Sequence, residues 1–114
     1  MLKVVAGFAL AFCSLVTSGY ASAQPGIPDF DVERHCQKQA SFMGGGSFWM
    51  KACLEQEQEA YDELKQKWAS IDSNTVRLCR RQMSIMGQSY FWLNACIQQE
   101  LESATALKNF TFRK

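Results

Sequence analysis

The stretch Cys36–Cys53, CQKQASFMGGGSFWMKAC, decides the fold because it returns 43 residues later as Cys79–Cys96, CRRQMSIMGQSYFWLNAC. Each copy keeps two cysteines in one register, with a glycine near the middle and a Phe-Trp pair before the second cysteine. A repeat of this period indicates two copies of one supersecondary unit. The matching positions are Gln39/Gln82, Ser41/Ser84, Met43/Met86, Gly44/Gly87, Phe48/Phe91, Trp49/Trp92, Ala52/Ala95, Gln56/Gln99, Glu57/Glu100, Leu64/Leu107 and Lys65/Lys108.

The cysteine spacing predicts a helical hairpin in each copy. A continuous helix over 17 residues would separate the two cysteines by roughly 25 Å, whereas a disulfide requires Cα atoms about 5.5 Å apart. The midpoint of each copy falls at Gly44–Gly46 or at Gly87, where a left-handed C-cap can end one helix. Ser47 or Ser89 can then cap the next helix. Each copy is therefore expected to fold back on itself.

The hydrophobic pattern extends these hairpins into four helices. The first arms cover about residues 31–43 and 74–86, with 71–74 as the linker between copies. The second arms carry apolar stripes at steps of three or four. These stripes are Trp49, Cys53, Gln56, Ala60, Leu64 and Trp68 in the first copy, and Trp92, Cys96, Gln99, Ser103, Leu107 and Phe110 in the second. The prediction is an all-α, pseudo-twofold four-helix bundle made of repeat one (about 31–70) and repeat two (about 74–112).

Four cysteines allow three disulfide pairings. Pairing within each repeat, Cys36 with Cys53 and Cys79 with Cys96, is favoured because both pairs are centred on glycine. Closing a loop of 17 residues also costs about 0.8 kcal/mol less than closing one of 43. The two pairings that would join the repeats remain alternatives.

The N-terminus predicts export. Lys3 precedes an apolar run over residues 4–16, and Ala21-Ser22-Ala23 is a small-residue cleavage site. The run is shorter than the roughly 20 residues that a transmembrane helix needs, so residues 1–23 are interpreted as a signal peptide that includes Cys13. A single domain, 24–114, should remain in the periplasm or outside the cell, where disulfides form.

Composition and motifs exclude several function classes. The chain is 47% hydrophobic and 20% charged with net charge +1, which argues against disorder and against nucleic-acid binding.

The single histidine, His35, is matched by Leu78 in the second copy, so neither a His-based zinc site nor a His-based triad can be assembled. His35 is interpreted as a helix-surface residue. The acidic cluster is interpreted as a solvated helix face (Glu55, Glu57, Glu59 and Glu63). We expect no enzyme activity, no cofactor and no resident metal.

Two groups of side chains remain as candidates for binding. Soft thioethers could hold Cu(I) in an exported protein, although core filling is the favoured role of the methionines (Met43, Met50, Met83 and Met86). The Phe-Trp pairs are the candidate binding residues (Phe48, Trp49, Phe91 and Trp92). Because adjacent helical residues point about 100° apart, one ring of each pair is expected in the core and the other in a groove or a homodimer contact.

Charge is divided unevenly along the chain. Residues 24–70 carry net charge −3 and residues 71–114 carry +3. This polarity permits head-to-tail self-association or docking of a charged partner. The favoured alternative is that the opposite charges meet across the two hairpins.

The residues around the second cysteine carry two resemblances. A cysteine, an intervening stretch with glycine and an aromatic pair, and then Ala52-Cys53-Leu54-Glu55-Gln56-Glu57 resemble small cysteine-containing exported proteins of Gram-negative bacteria. The stretches Lys51-Ala52-Cys53 and Ala60-Tyr61-Asp62-Glu63-Leu64 are similar to helical lysozyme-inhibitor-type domains of bacterial envelopes. The disulfide-closed scaffold, its surplus aromatic residues and the absence of a catalytic constellation predict a non-enzymatic binding module, in the periplasm or outside the cell, that contacts an unidentified protein partner. Copper handling through Met and His, and lysozyme inhibition, are the alternatives.

Overall fold

A computed structural model describes residues 26–114, and these form four α-helices with no strand. The helices are α1 (Val32–Phe42), α2 (Ser47–Lys67), α3 (Ser73–Met86) and α4 (Tyr90–Lys108), with a short 3-10 turn at Trp68–Ser70. The all-α prediction is confirmed. The predicted signal peptide, its cleavage site and Cys13 lie outside the described residues. None of the four helices in the described part is long and apolar enough to cross a bilayer.

Both disulfides close within their own repeat. Cys36 is bonded to Cys53 with the Cα atoms 5.5 Å apart, and Cys79 is bonded to Cys96 at 5.7 Å. Accordingly α1 packs against α2, and α3 packs against α4. The pairing that the spacing favours is the one in the structure.

Glycine makes each reversal possible. Gly44, Gly45 and Gly46 have φ of 91°, 82° and 100°, and Gly87 has φ of 108°, a region that L side chains rarely adopt. Asp31 caps α1 by accepting from the Arg34 N–H, and Ser89 caps α4 by accepting from the Trp92 N–H. In α2 the N-cap is Gly46 rather than the expected Ser47, and no side chain caps this end.

The core forms around α4, which packs against both α2 and α3. It combines the C-terminal half of α2, the N-terminal half of α4 and the inner face of α3. Its members include Ala60, Leu64, Trp68, Val76, Cys79, Met83, Tyr90, Leu93 and Ile97. Within the described residues, α1 and α3 do not pack against each other, so α2 and α4 are the central pair.

The two repeats are buried unequally. Leu64 is fully buried while its equivalent Leu107 is 72% exposed, and Tyr90 is buried while its equivalent Ser47 is exposed. Of the stripe predicted for α4 only Cys96 is buried. Trp92 faces the surface, and the remaining members lie beyond the half of α4 that α2 covers (Gln99, Ser103, Leu107 and Phe110). The pseudo-twofold arrangement is not confirmed, since such an axis would bury equivalent residues equally.

Tyr90 ties the segment before α1 to this core. Its hydroxyl donates to the Pro28 carbonyl at 2.8 Å and accepts from the Phe30 N–H at 3.0 Å. The Phe30 and Tyr90 rings lie 4.8 Å apart between centroids. Burial raises the pKa of Tyr90, and the hydrogen bond from Phe30 partly offsets this rise.

We expect Tyr90→Phe to lower the free energy of unfolding by about 1–2 kcal/mol at pH 8, because two backbone groups lose their partner. A raised pKa means that the folded state holds the phenolic proton more tightly than the unfolded state. The contribution of Tyr90 to the free energy of unfolding should therefore be fully present in the wild-type protein below the ordinary tyrosine pKa of about 10. It should be lost as the pH rises through the higher pKa that Tyr90 has in the folded protein. Urea unfolding at pH 8 and pH 11 measures both effects, and an equal alkaline loss in the variant would contradict the assignment to Tyr90.

Candidate functional site

The four candidate aromatic residues are all exposed. Phe48, Trp49 and Trp92 are 74%, 41% and 43% exposed, and Phe91 also reaches the surface. The expectation that one ring of each pair enters the core is wrong. In α4 the inward positions are Tyr90 and Leu93, and the two residues between them point away because a helix turns about 100° per residue. In α2 both aromatic residues precede Glu57, the first buried residue of that helix.

Three of these four rings line one cleft. Trp49, Phe91 and Trp92 surround a cavity of about 440 Å³ together with His35 and Met43. We call this set the aromatic cleft. Phe48 lies outside it and packs edge-on against Trp49, with the ring centroids 5.1 Å apart. A neighbouring cavity of about 670 Å³ shares His35 and Trp92 and adds the basic residues Arg34 and Lys38.

Glu57 closes the floor of the cleft and joins the two repeats. It is 2% exposed, so the prediction of a solvated face is wrong for this residue, although Glu55, Glu59 and Glu63 are exposed as expected. Its carboxylate accepts a hydrogen bond from the Ser89 hydroxyl and another from the Tyr90 N–H at 2.6 Å. A carboxylate at the first N–H groups of a helix satisfies otherwise unpaired donors and favours the helix dipole.

His35 lies beside this carboxylate. Its Nε2 is 3.6 Å from Glu57 Oε1, and its side chain is only 16% exposed, so the surface position predicted for it is wrong. Serine, histidine and glutamate thus meet at one place. The order of their contacts differs from that of a nucleophilic triad, in which serine donates to histidine, because Ser89 donates to Glu57 and also caps α4. The arrangement is suited to positioning α4.

The methionines are dispersed. Met83 is buried in the core, Met43 and Met86 are exposed, and Met50 lines a separate groove on the first hairpin. Core filling is therefore wrong for Met43 and Met86. Among residues 26–114, no group of three or more His, Cys, Asp or Glu side chains is placed to hold a metal ion.

Sequence differences between the two copies indicate which hairpin is covered by the other. Met83, Tyr90 and Asn94 stand where the first copy has Ala40, Ser47 and Lys51, and Asn94 donates to Glu63 at 2.7 Å. Larger or uncharged residues at equivalent positions mark the second hairpin as the one that is covered. No comparable signal singles out Glu57, because its equivalent Glu100 is the same residue type.

The cleft presents flat aromatic rings, which provide large, rigid contact area. The neighbouring cavity carries charges of both signs, since Asp31 lines it together with Arg34 and Lys38. Neither a protein-family model nor any curated protein or solved structure matches this chain.

Proposed function

We propose that this protein is a non-enzymatic binding module of the periplasm or the extracellular space that recognises a protein partner through the aromatic cleft. The observation that carries the proposal is the exposure of Trp49, Phe91 and Trp92 around one cavity. Exposed tryptophan is costly to solvate, and Trp is among the residues that contribute most to the energy of protein interfaces. The two disulfides suit an oxidising compartment.

Rigidity supports a binding role. The cleft spans the junction of the two hairpins, and each hairpin is closed by a disulfide. Cys53 itself lines the cavity, and Glu57 fixes the start of α4, from which Phe91 and Trp92 project. A surface held in place before binding loses less conformational entropy when the partner arrives.

We expect the double variant Trp49→Ala/Trp92→Ala to lose at least tenfold in affinity for partners captured from envelope extract. Tryptophan anchors in the centre of an interface commonly contribute 2 kcal/mol or more each. The matched control is Ile85→Ala, which removes an exposed apolar side chain away from the cleft. Capture with tagged wild-type and variant protein, quantified by mass spectrometry, measures the difference.

Two results would overturn the proposal: the same partners captured equally by the wild-type protein and the double variant, or no specific partner at all. Lysozyme added to the same assay tests the resemblance to lysozyme-inhibitor domains.

Copper handling is the second candidate, because His35 and Met43 line the same cleft. Titration with Cu(I) under reducing conditions separates it from protein recognition, since binding weaker than micromolar would remove it.

A further inference from the structure

The contact between the repeats is made by one helix that packs on a hairpin, and we call the hairpin surface that it covers the seat. The C-terminal half of α2 lies across the second hairpin, where Glu57 receives the start of α4 and Leu64 and Trp68 join the core. Five residues of the second hairpin contribute to this seat (Met83, Tyr90, Leu93, Asn94 and Ile97), and each is buried.

The first hairpin carries the same seat without a helix on it. The equivalents of those five residues are Ala40, Ser47, Met50, Lys51 and Leu54, and all five line one groove of about 580 Å³. Met50 and Leu54 are half-buried, whereas Leu93 and Ile97 in the second hairpin are fully buried. The repeat has therefore produced two seats, of which only the second is covered in the described structure. We call the groove on the first hairpin the head.

The helix segment that would cover such a seat is also repeated. Glu57 and Leu64 of α2 correspond to Glu100 and Leu107 of α4. Every residue from 101 to 114 is exposed, including the large apolar side chains Leu101, Leu107, Phe110 and Phe112. We call residues 100–112 the tail. An apolar segment of this kind on a surface marks an interaction site.

We propose that copies of this chain associate head to tail, with the tail of one copy seated in the head of the next. The occupant of the groove is thus a second copy, which repeats between chains the contact that α2 makes within one chain. Charge contributes only at long range. Residues 24–70, which contain the head, carry net charge −3 and residues 71–114, which contain the tail, carry +3, whereas the head itself is lined by one Lys and one Glu and the tail carries two Glu and one Lys. Opposite charge on the two halves favours a head-to-tail encounter, and the apolar contact is what holds it.

Glu100 has a defined part in this contact. Glu57 accepts a hydrogen bond from the first N–H of α4, and the corresponding group in the head is the Ser47 N–H at the start of α2. That helix has no side-chain cap of its own, whereas Ser89 caps α4. Glu100 of the neighbouring copy supplies the missing acceptor, as Glu57 does within the chain.

The contact is heterologous, since two different surfaces meet, and such a contact produces open chains of subunits, or rings where the rotation between copies closes. It is also weaker than the internal contact. Ser47 stands in place of Tyr90, Ser103 in place of Ala60 and Thr111 in place of Trp68, so less apolar surface is buried. We expect monomers in dilute solution and growing oligomers as the concentration rises.

Sedimentation velocity over a series of concentrations tests the proposal with two complementary variants. Leu107→Asp disables the tail and leaves the head intact, while Met50→Asp disables the head and leaves the tail intact. Each variant alone should stay monomeric at concentrations where the wild-type protein sediments faster. A mixture of the two should form a dimer and nothing larger, because only one productive contact remains. Ile85→Asp adds the same charge at an exposed site elsewhere and should assemble like the wild-type protein.

Three outcomes would overturn the proposal. The first is a wild-type protein that stays monomeric up to millimolar concentration. The second is a mixture of the two variants, each shown by circular dichroism to retain its helices, that fails to dimerise. The third is an Ile85→Asp variant that loses assembly as completely as the other two.

Discussion

Glu57→Ala is expected to lower the free energy of unfolding by about 2–4 kcal/mol. The substitution leaves the Tyr90 N–H and the Ser89 hydroxyl without their acceptor, and these groups are buried at the junction of the two repeats. Buried donors that lose their partner incur the full cost of desolvation. Urea unfolding followed by circular dichroism at pH 7 measures the loss. Glu57→Gln keeps one acceptor oxygen and should fall between the wild-type protein and the alanine variant.

Glu100→Ala is the matched control because the repeat places the same residue type at the equivalent position of α4. Glu100 is half-buried, unlike Glu57, and its substitution should change stability by less than about 0.5 kcal/mol. Both proteins are compared at concentrations where the chain is monomeric. Equal losses at positions 57 and 100 would contradict the role given to Glu57.

Removal of the second disulfide by Cys79→Ala/Cys96→Ala is expected to have the largest effect on stability. Releasing an 18-residue loop costs about 3 kcal/mol in chain entropy, and both cysteines also belong to the core. A domain of this size is stabilised by only about 5–15 kcal/mol in total. We expect the midpoint of urea unfolding to fall by at least half, and heating to cause early loss of helicity.

The first disulfide provides an internal control for this experiment. Cys36–Cys53 closes a loop of the same sequence length, so Cys36→Ala/Cys53→Ala loses the same chain entropy. Cys36 is fully buried and Cys53 half-buried, but both lie outside the core cluster. The difference between the two double variants therefore measures how much more packing depends on Cys79 and Cys96 than on the first pair. A larger loss for the first disulfide would contradict this account of the core.

Local features of the fold could be predicted from the sequence. The cysteine spacing of 17 residues and the glycine at each midpoint concern residues that lie close together in the chain. The 43-residue period shows that both halves of the chain share these features. Together they predict the four helices and both disulfides. Two helix starts could also be predicted, since Asp31 and Ser89 are typical N-cap residues. The other two could not, because α2 has Gly46 and α3 has Asp72 as N-cap, and neither helix start has a side-chain cap.

The relation between the hairpins could not be predicted in the same way. Two copies of one pattern do not show which half of each second arm will be covered, because that depends on contacts between distant residues. Once α2 lies over the first half of α4, Glu57 is enclosed and Leu107 is left in solvent. The same position of α2 leaves the Phe-Trp pairs outside the core. The candidate binding residues could thus be identified by type, but their exposure follows from the packing of the repeats.

The disulfide connectivity bears on how the chain acquires its bonds. Each of the four cysteines in the described residues is paired with its nearest neighbour along the chain. As a chain emerges N-terminus first, Cys36 meets Cys53 before Cys79 and Cys96 are available. Oxidation in that order produces the native bonds directly, without passing through the two pairings that cross the repeats. The connectivity is thus one that sequential oxidation can form without rearrangement of wrongly paired bonds by thiol–disulfide exchange.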